Sequence, residues 1–233
     1  YDIIILRTIS KGKTMNKIVW IDLETGGLND EVINLEEPII LPNGRKIEHV
    51  SGSQYYPILE IGIVITDNDL NILDTYQAEI KNNKRVLDKM DAWCMDQHNK
   101  TGLIQKSLKS EKTIEQVTKE AVDFLNKHDL PKRVPMAGSS IHFDHEFIRQ
   151  QMPELNSKFS HQHIDVTSLY KIYQTKYPEI TEKITEMRKN TTHLVIDDIK
   201  DSIKIAKMYS DLMPKYTVED LLQNKMNNKR KPN

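Results

Sequence analysis

The run KIVWIDLETGGL, residues 17–28, constrains this chain more than any other stretch, because an apolar, β-prone segment closes on two carboxylates and a glycine turn. Strand side chains alternate faces, so Asp22 and Glu24 project to the same side. Two like charges held together at a strand end disfavour ionisation unless a cation screens them. A hard divalent metal, which takes oxygen ligands, is the economical solution. A fold carrying this pair needs further carboxylates and a proton-handling group from elsewhere in the chain.

Bulk properties narrow the rest. The 233 residues suffice for one large domain or two small ones with a substantial core. With 33 basic residues against 34 acidic ones, the formal net charge is −1. That is not the basic excess of a protein that coats long nucleic acid. An enzyme acting on short nucleic acid stays within these limits, since metals offset clustered acids. The lone Cys94 rules out an internal disulfide and any cysteine-based zinc site, which fits a reducing, cytoplasmic setting. No apolar run approaches the roughly 20 residues a membrane-spanning helix needs, so no membrane partner is expected. The opening YDIIILRTISKGKT has an apolar burst too short for a secretory signal. Met15 immediately precedes the first convincing strand, so residues 1–14 are expected to be upstream or expression-derived sequence, disordered or loosely attached.

The order of elements predicts a single α/β domain over residues 15–215, with an insertion at 29–57 and a C-terminal helix and basic tail over 216–233. Strands are predicted at Lys17–Asp22, Ile58–Thr66 and Ile72–Ile80, the last two joined by a polar turn. Within the insertion, Pro42-Asn43-Gly44 lies between apolar runs and signals a small hairpin. Thr113–Lys127 reads as a helix with Ile114, Val117, Ala121, Phe124 and Leu125 on one face, and Thr113 with Gln116 fits a capping box. A short buried strand is predicted at Val134–Ala137, then a helix from Ile141 to Gln151. A strand at His163–Val166, a helix at Thr167–Lys176 and a last helix at Asp197–Met213 complete the pattern.

Acidic residues recur at the ends of these elements. AGSSIHFDHEFI puts Asp144 just after a strand. HLVIDDI puts His193 five residues ahead of Asp198, so a helix starting inside this stretch leaves His193 on the incoming loop and Asp198 in the first turns. Both could then point into one cleft with Asp22 and Glu24.

In these segments the chain resembles the DEDD exonucleases, in the branch where a histidine precedes the final aspartate, and within it the oligoribonucleases. WIDLETGGL matches the first motif, AGSSIHFDHEFI the second and HLVIDDIKDSI the third, while HIDVTSL resembles an accompanying strand motif. VLDKMDAWCMDQHNKTGL adds a match particular to oligoribonucleases. A lone DxE is weak; five segments in the right order are specific.

The resemblance implies a ribonuclease H-like mixed sheet flanked by helices. It implies that Asp22, Glu24, Asp144 and Asp198 hold two Mg²⁺ or Mn²⁺ ions, and that His193 is the general base, suited because imidazole titrates near neutral pH. Two metals roughly 4 Å apart can stabilise both the attacking and the leaving oxygens of an in-line displacement. The expected reaction is 3′-to-5′ hydrolysis of short single-stranded oligoribonucleotides to 5′-mononucleotides. Leu28 and Trp93 match positions that pack against bases, where an aromatic face adds ~1–3 kcal/mol per stacked base. His98 and Ser140 match positions that contact substrate.

The chain departs from the oligoribonuclease pattern in two places. Thr25-Gly26 stand where Met-Thr is usual, closer to proofreading-type relatives. The family's Tyr-Arg pair, which clamps the substrate's terminal phosphate from the partner subunit, is here His161-Gln162. Glutamine supplies neither the charge nor the fork of arginine, so that role is not carried over and a homodimer stays open. Two alternatives follow: an exonuclease acting on single-stranded DNA or longer RNA, and a non-catalytic oligonucleotide-binding module. Of the remaining polar residues, Asp197 and Asp165 read as structural. His142 and His145, without a cysteine partner or a clear HxxxH pair, read as surface histidines.

Overall fold

The computed structural model describes residues 17–188 and 194–212, so the 1–14 and 216–233 segments and His193 lie outside the described residues. β1 (Lys17–Thr25) is the middle strand of a five-stranded sheet. Its period-two alternation sends Val19, Ile21 and Leu23 into one apolar cluster and Trp20 into a second on the opposite face. Asp22 and Glu24 continue the Trp20 face. The strand runs three residues past the expected Asp22, because Glu24 pairs with Glu60 and Thr25 with Ile58 across a register break.

The 29–57 insertion forms β2 (Val32–Ile40) and β3 (Lys46–Ser51), a separate two-stranded hairpin turned by the expected Pro42-Asn43-Gly44, and a short helix, α1 (Gly52–Tyr55). An isolated hairpin is marginal in water, so its base is fastened to the domain. Gly52 N donates to Glu31 O at 2.8 Å, and Gln151 Nε2 donates to the carbonyls of Ser53 and Tyr56 at 2.8 Å each.

β4 (Ile58–Asp67) is buried along almost its whole length, as a strand covered on both faces must be. It pairs antiparallel with β1 and with β5 (Ile72–Glu79). Three short helices follow, α2 (Lys84–Leu87), α3 (Ala92–Lys100) and α4 (Leu103–Lys109). α5 (Ile114–Asn126) carries the expected capping box, Thr113 N donating to Gln116 Oε1 at 2.8 Å, and buries Val117, Ala121, Phe124 and Leu125.

β6 (Val134–Gly138) runs parallel to β1 and leads into α6 (His142–Gln151) and α7 (Pro153–Asn156). β7 (Phe159–Asp165) runs parallel to β6 and closes the order β5-β4-β1-β6-β7. This strand starts four residues before the expected His163, and Val166 belongs to the next helix. His161, Gln162 and His163 hide the strand in the sequence because an edge strand tolerates polar side chains. Asp165 ends it by capping α8 (Val166–Lys176), accepting from Thr167 N. α9 (Pro178–Arg188) was not expected from the sequence, and α10 (Val195–Leu212) starts two residues before the expected Asp197. The result is the mixed sheet flanked by helices that the resemblance implied. No described helix is long and apolar enough to cross a membrane.

α10 lies against the Trp20 face, burying Val195, Ile199, Ile203, Ala206 and Tyr209. Gly62 of β4, opposite Asp22, sets how closely its first turn approaches. A Cβ there would stand 3.0 Å from Val195 Cβ and 3.0 Å from Ile199 Cδ1. Gly62→Ala is expected to cost about 1–3 kcal/mol by overpacking, read in chemical unfolding. It should also weaken divalent-metal binding, because Asp198 rides on the displaced turn. Unchanged metal affinity would show that another contact fixes the helix.

Candidate metal and catalytic site

The end of β1 is bound on all sides, which fixes where its carboxylates point. Gly26 N donates to Pro57 O at 2.8 Å, and Asp91 N donates to Gly26 O at 2.7 Å. Gly27 passes directly under Tyr56, where a Cβ would stand 2.4 Å from the ring, so only glycine fits. His98 is 5% exposed, and its Nε2 lies 2.8 Å from Thr25 O. A carbonyl only accepts, so Nε2 carries the hydrogen and Nδ1 faces Glu24 Oε2 at 3.8 Å. His98 therefore braces the carboxylate-bearing strand end rather than opening to solvent.

Three chain segments meet at this point. Carboxylate oxygens of Asp22, Glu24 and Asp198 all lie within 4.8 Å of one another. Asp198 comes from the first turn of α10, where an acidic group also suits the helix dipole. Its neighbour Asp197 instead lies 3.4 Å from Lys200 Nζ, an exposed pair. Asp144, in the first turn of α6, is 3% exposed, and its Oδ1 accepts from Leu23 N at 2.9 Å. That bond ties α6 to β1 and leaves Oδ2 as the atom that could reach a cation.

Burial and mutual repulsion dominate the electrostatics of these carboxylates. Burial first, then the charges of Asp144, Glu24, Asp198 and Glu60, raise Asp22 well above the ordinary carboxylate range. Glu24 is pushed up to about 8 by burial and by Asp198, Glu60 and Asp144. Burial likewise pushes Asp144 up to about 8, against the lowering effect of the Leu23 amide. Carboxylates this costly to ionise become favourable ligands once a divalent charge sits among them.

Glu60 is a further carboxylate that motif reading passed over. It lies opposite Glu24 on β4, fully buried, with Oε1 accepting from Gln77 Nε2 at 2.7 Å and Oε2 without a hydrogen-bond partner. Its signal was present as a lone charge inside the apolar run ILEIGIVIT.

The remaining candidates line the surroundings. Leu28 and Trp93 are 56% and 64% exposed. Each lies two residues beyond the Asp91–Gly26 bond, so both leave adjoining backbone as exposed apolar surface. Ser140 occupies the left-handed region at φ 53, held there because its amide donates to Asp165 Oδ1 at 2.8 Å and Thr167 Oγ1 at 2.9 Å. Asp165 is thus the brace of the β6–α6 turn.

Sequence and structure comparisons bear on the family and the fold. The exonuclease family described as RNase T matches residues 19–206. An oligoribonuclease of Colwellia psychrerythraea is 34% identical over 198 residues, covering 84% of this chain and 95% of that protein. A probable oligoribonuclease of Caenorhabditis elegans is 32% identical, covering 85% and 90%. Among solved structures, the zinc-bound E. coli exonuclease I complex with single-stranded DNA superposes with a TM-score of 0.60 at 14% identity. The match covers 86% of this chain but 42% of that one, so it speaks to the fold.

The raised carboxylates carry a stability signature. In metal-free protein, Glu24 and Asp144 keep a proton up to about pH 8, whereas the unfolded chain releases it near the ordinary 4.5 and 3.8. The folded state binds more protons across that window. Stability is therefore greatest below the unfolded values and falls as pH rises through about 8. Thermal unfolding in chelator should show Tm falling with pH over this range, with Mg²⁺ raising it most at the alkaline end. A Tm that rises with pH in chelator would contradict the assignment.

Proposed function

Because the chain belongs to the exonuclease family and to its oligoribonuclease branch, we propose that it is a metal-dependent 3′-to-5′ exoribonuclease that hydrolyses short single-stranded oligoribonucleotides to 5′-mononucleotides. The observation that carries this reading is the convergence of Asp22, Glu24 and Asp198 from strand and helix onto one point, with Asp144 beside them.

The donor set suits hard divalent cations. Among the described residues it is all carboxylate oxygen without thiolate, burial and like charge raise Glu24 to about 8, and a buried Glu60 oxygen stands without a hydrogen-bond partner. Asp22, Glu24, Asp144 and Asp198 would hold two Mg²⁺ or Mn²⁺ ions, which neutralise the scissile phosphate and acidify the attacking water. His193, five residues before Asp198 in the chain, takes the proton from that water. Leu28 and Trp93 hold the terminal bases on their exposed apolar faces, and Ser140 presents its hydroxyl at the braced β6–α6 turn. His98 keeps the Glu24–Thr25 strand end in register, next to where substrate must lie.

A second reading, single-stranded DNA or longer RNA as substrate, is favoured by one observation. His161 and Gln162 are exposed on the edge strand where an arginine clamp would limit substrate length.

Labelled RNA and DNA oligomers from two to about ten nucleotides, assayed with Mn²⁺, separate the two. The proposal expects fastest hydrolysis of the shortest RNA, and equal rates on DNA would select the second reading. Asp198→Asn should lower turnover about a thousandfold or more while the fold persists. His193→Ala should lower it roughly 10²–10⁴-fold and leave metal affinity unchanged. Full activity in chelator would defeat both readings.

A further inference from the structure

A second cluster of metal-ligating side chains lies outside the carboxylate site. His145 on α6 and His163 on β7, far apart in the chain, meet with His145 Nδ1 and His163 Nε2 2.8 Å apart and rings at 86°. The other nitrogen of His145, Nε2, lies 3.0 Å from Asn156 Oδ1 at the end of α7. An amide oxygen accepts, so Nε2 carries the hydrogen and Nδ1 presents a lone pair toward His163. A ligand histidine usually has this arrangement, with one nitrogen donating to an oxygen that fixes the ring and the other turned to the metal. His142, one helical turn before His145 on α6, is exposed.

We propose that His145 and His163, with water completing the shell, form a second metal site for a borderline divalent ion such as Zn²⁺, Ni²⁺ or Cu²⁺. Imidazole nitrogens select these ions, whereas the all-oxygen cage selects Mg²⁺ or Mn²⁺. His163 Nε2 donates to the His145 lone pair, so on metal binding its hydrogen moves to His163 Nδ1. Two nitrogens bound tetrahedrally at about 2.0–2.1 Å stand roughly 3.3 Å apart, so the pair must also open by about half an ångström. His163 is exposed on an edge strand and free to make that adjustment. Burial and the neighbouring His145 and His142 also hold His163 below its ordinary pKa, which keeps its ring neutral for a metal. A bound ion would clip α6, which carries Asp144, to β7, whose Asp165 braces Ser140.

Zn²⁺ titration of the full chain, with Mg²⁺ in large excess to fill the carboxylates, tests the site. Electron paramagnetic resonance of added Cu²⁺ then counts nitrogen donors. The native chain should bind one Zn²⁺ more than His163→Gln, and its Cu²⁺ spectrum should show at least two nitrogens that this variant loses. Asp22→Asn should retain both signals, and Asn156→Ala should weaken Zn²⁺ about 10–100-fold. His163 is exposed, so His163→Gln should fold normally, checked by circular dichroism. Equal Zn²⁺ stoichiometry and nitrogen count in native protein and folded His163→Gln would overturn the site.

Discussion

Repulsion among half-buried carboxylates crowded at one strand end governs the organisation of this site. Asp22, Glu24 and Asp198 share one pocket, Asp144 adjoins it and Glu60 lies beneath it. In an effective interior dielectric lower than water, each added charge makes the next harder to ionise. Among the causes acting on Asp22 and Glu24, burial and like charge all push the same way. On the proposed reading, this accumulated charge is what suits the site to divalent cations.

The architecture supplies the precision such a site needs. Period-two alternation along β1 puts the two acids on the face where α10 packs, and the absent side chain of Gly62 lets the first turn of α10 approach. Asp144 Oδ1 on the Leu23 amide fixes α6 to the same strand. His98, Gly26 and Gly27 lock the strand's end from the other side. In the proposed enzyme, Trp93 on α3 and Ser140 on its braced turn would hold the substrate against a rigid scaffold.

Much of this was legible in the sequence, for identifiable reasons. Asp22 and Glu24 follow from strand alternation, and the Thr113–Gln116 box and the Pro42-Asn43-Gly44 turn are local signals that the structure repeats. The choice of Asp198 over Asp197 came from motif spacing, and the side chains part accordingly, one toward the acids and one toward Lys200. What escaped depends on non-local contact. Glu60 looks like an ordinary residue in a buried strand until Glu24 is paired with it. The first half of β7 escaped, with only His163–Val166 read as strand, because its edge position removes the alternating pattern. With it went the meeting of His145 and His163, so that His145 read as a surface histidine until the sheet brought its partner alongside.

The central claim is that these carboxylates form one binding site for catalytic divalent ions. Anomalous scattering from crystals grown with Mn²⁺ tests it most directly. The account predicts strong manganese peaks contacted by Asp22, Glu24 and Asp198, with Asp144 Oδ2 turned toward them and the peaks lost in Asp198→Asn. Manganese bound elsewhere, with this cluster empty in an active enzyme, would contradict it.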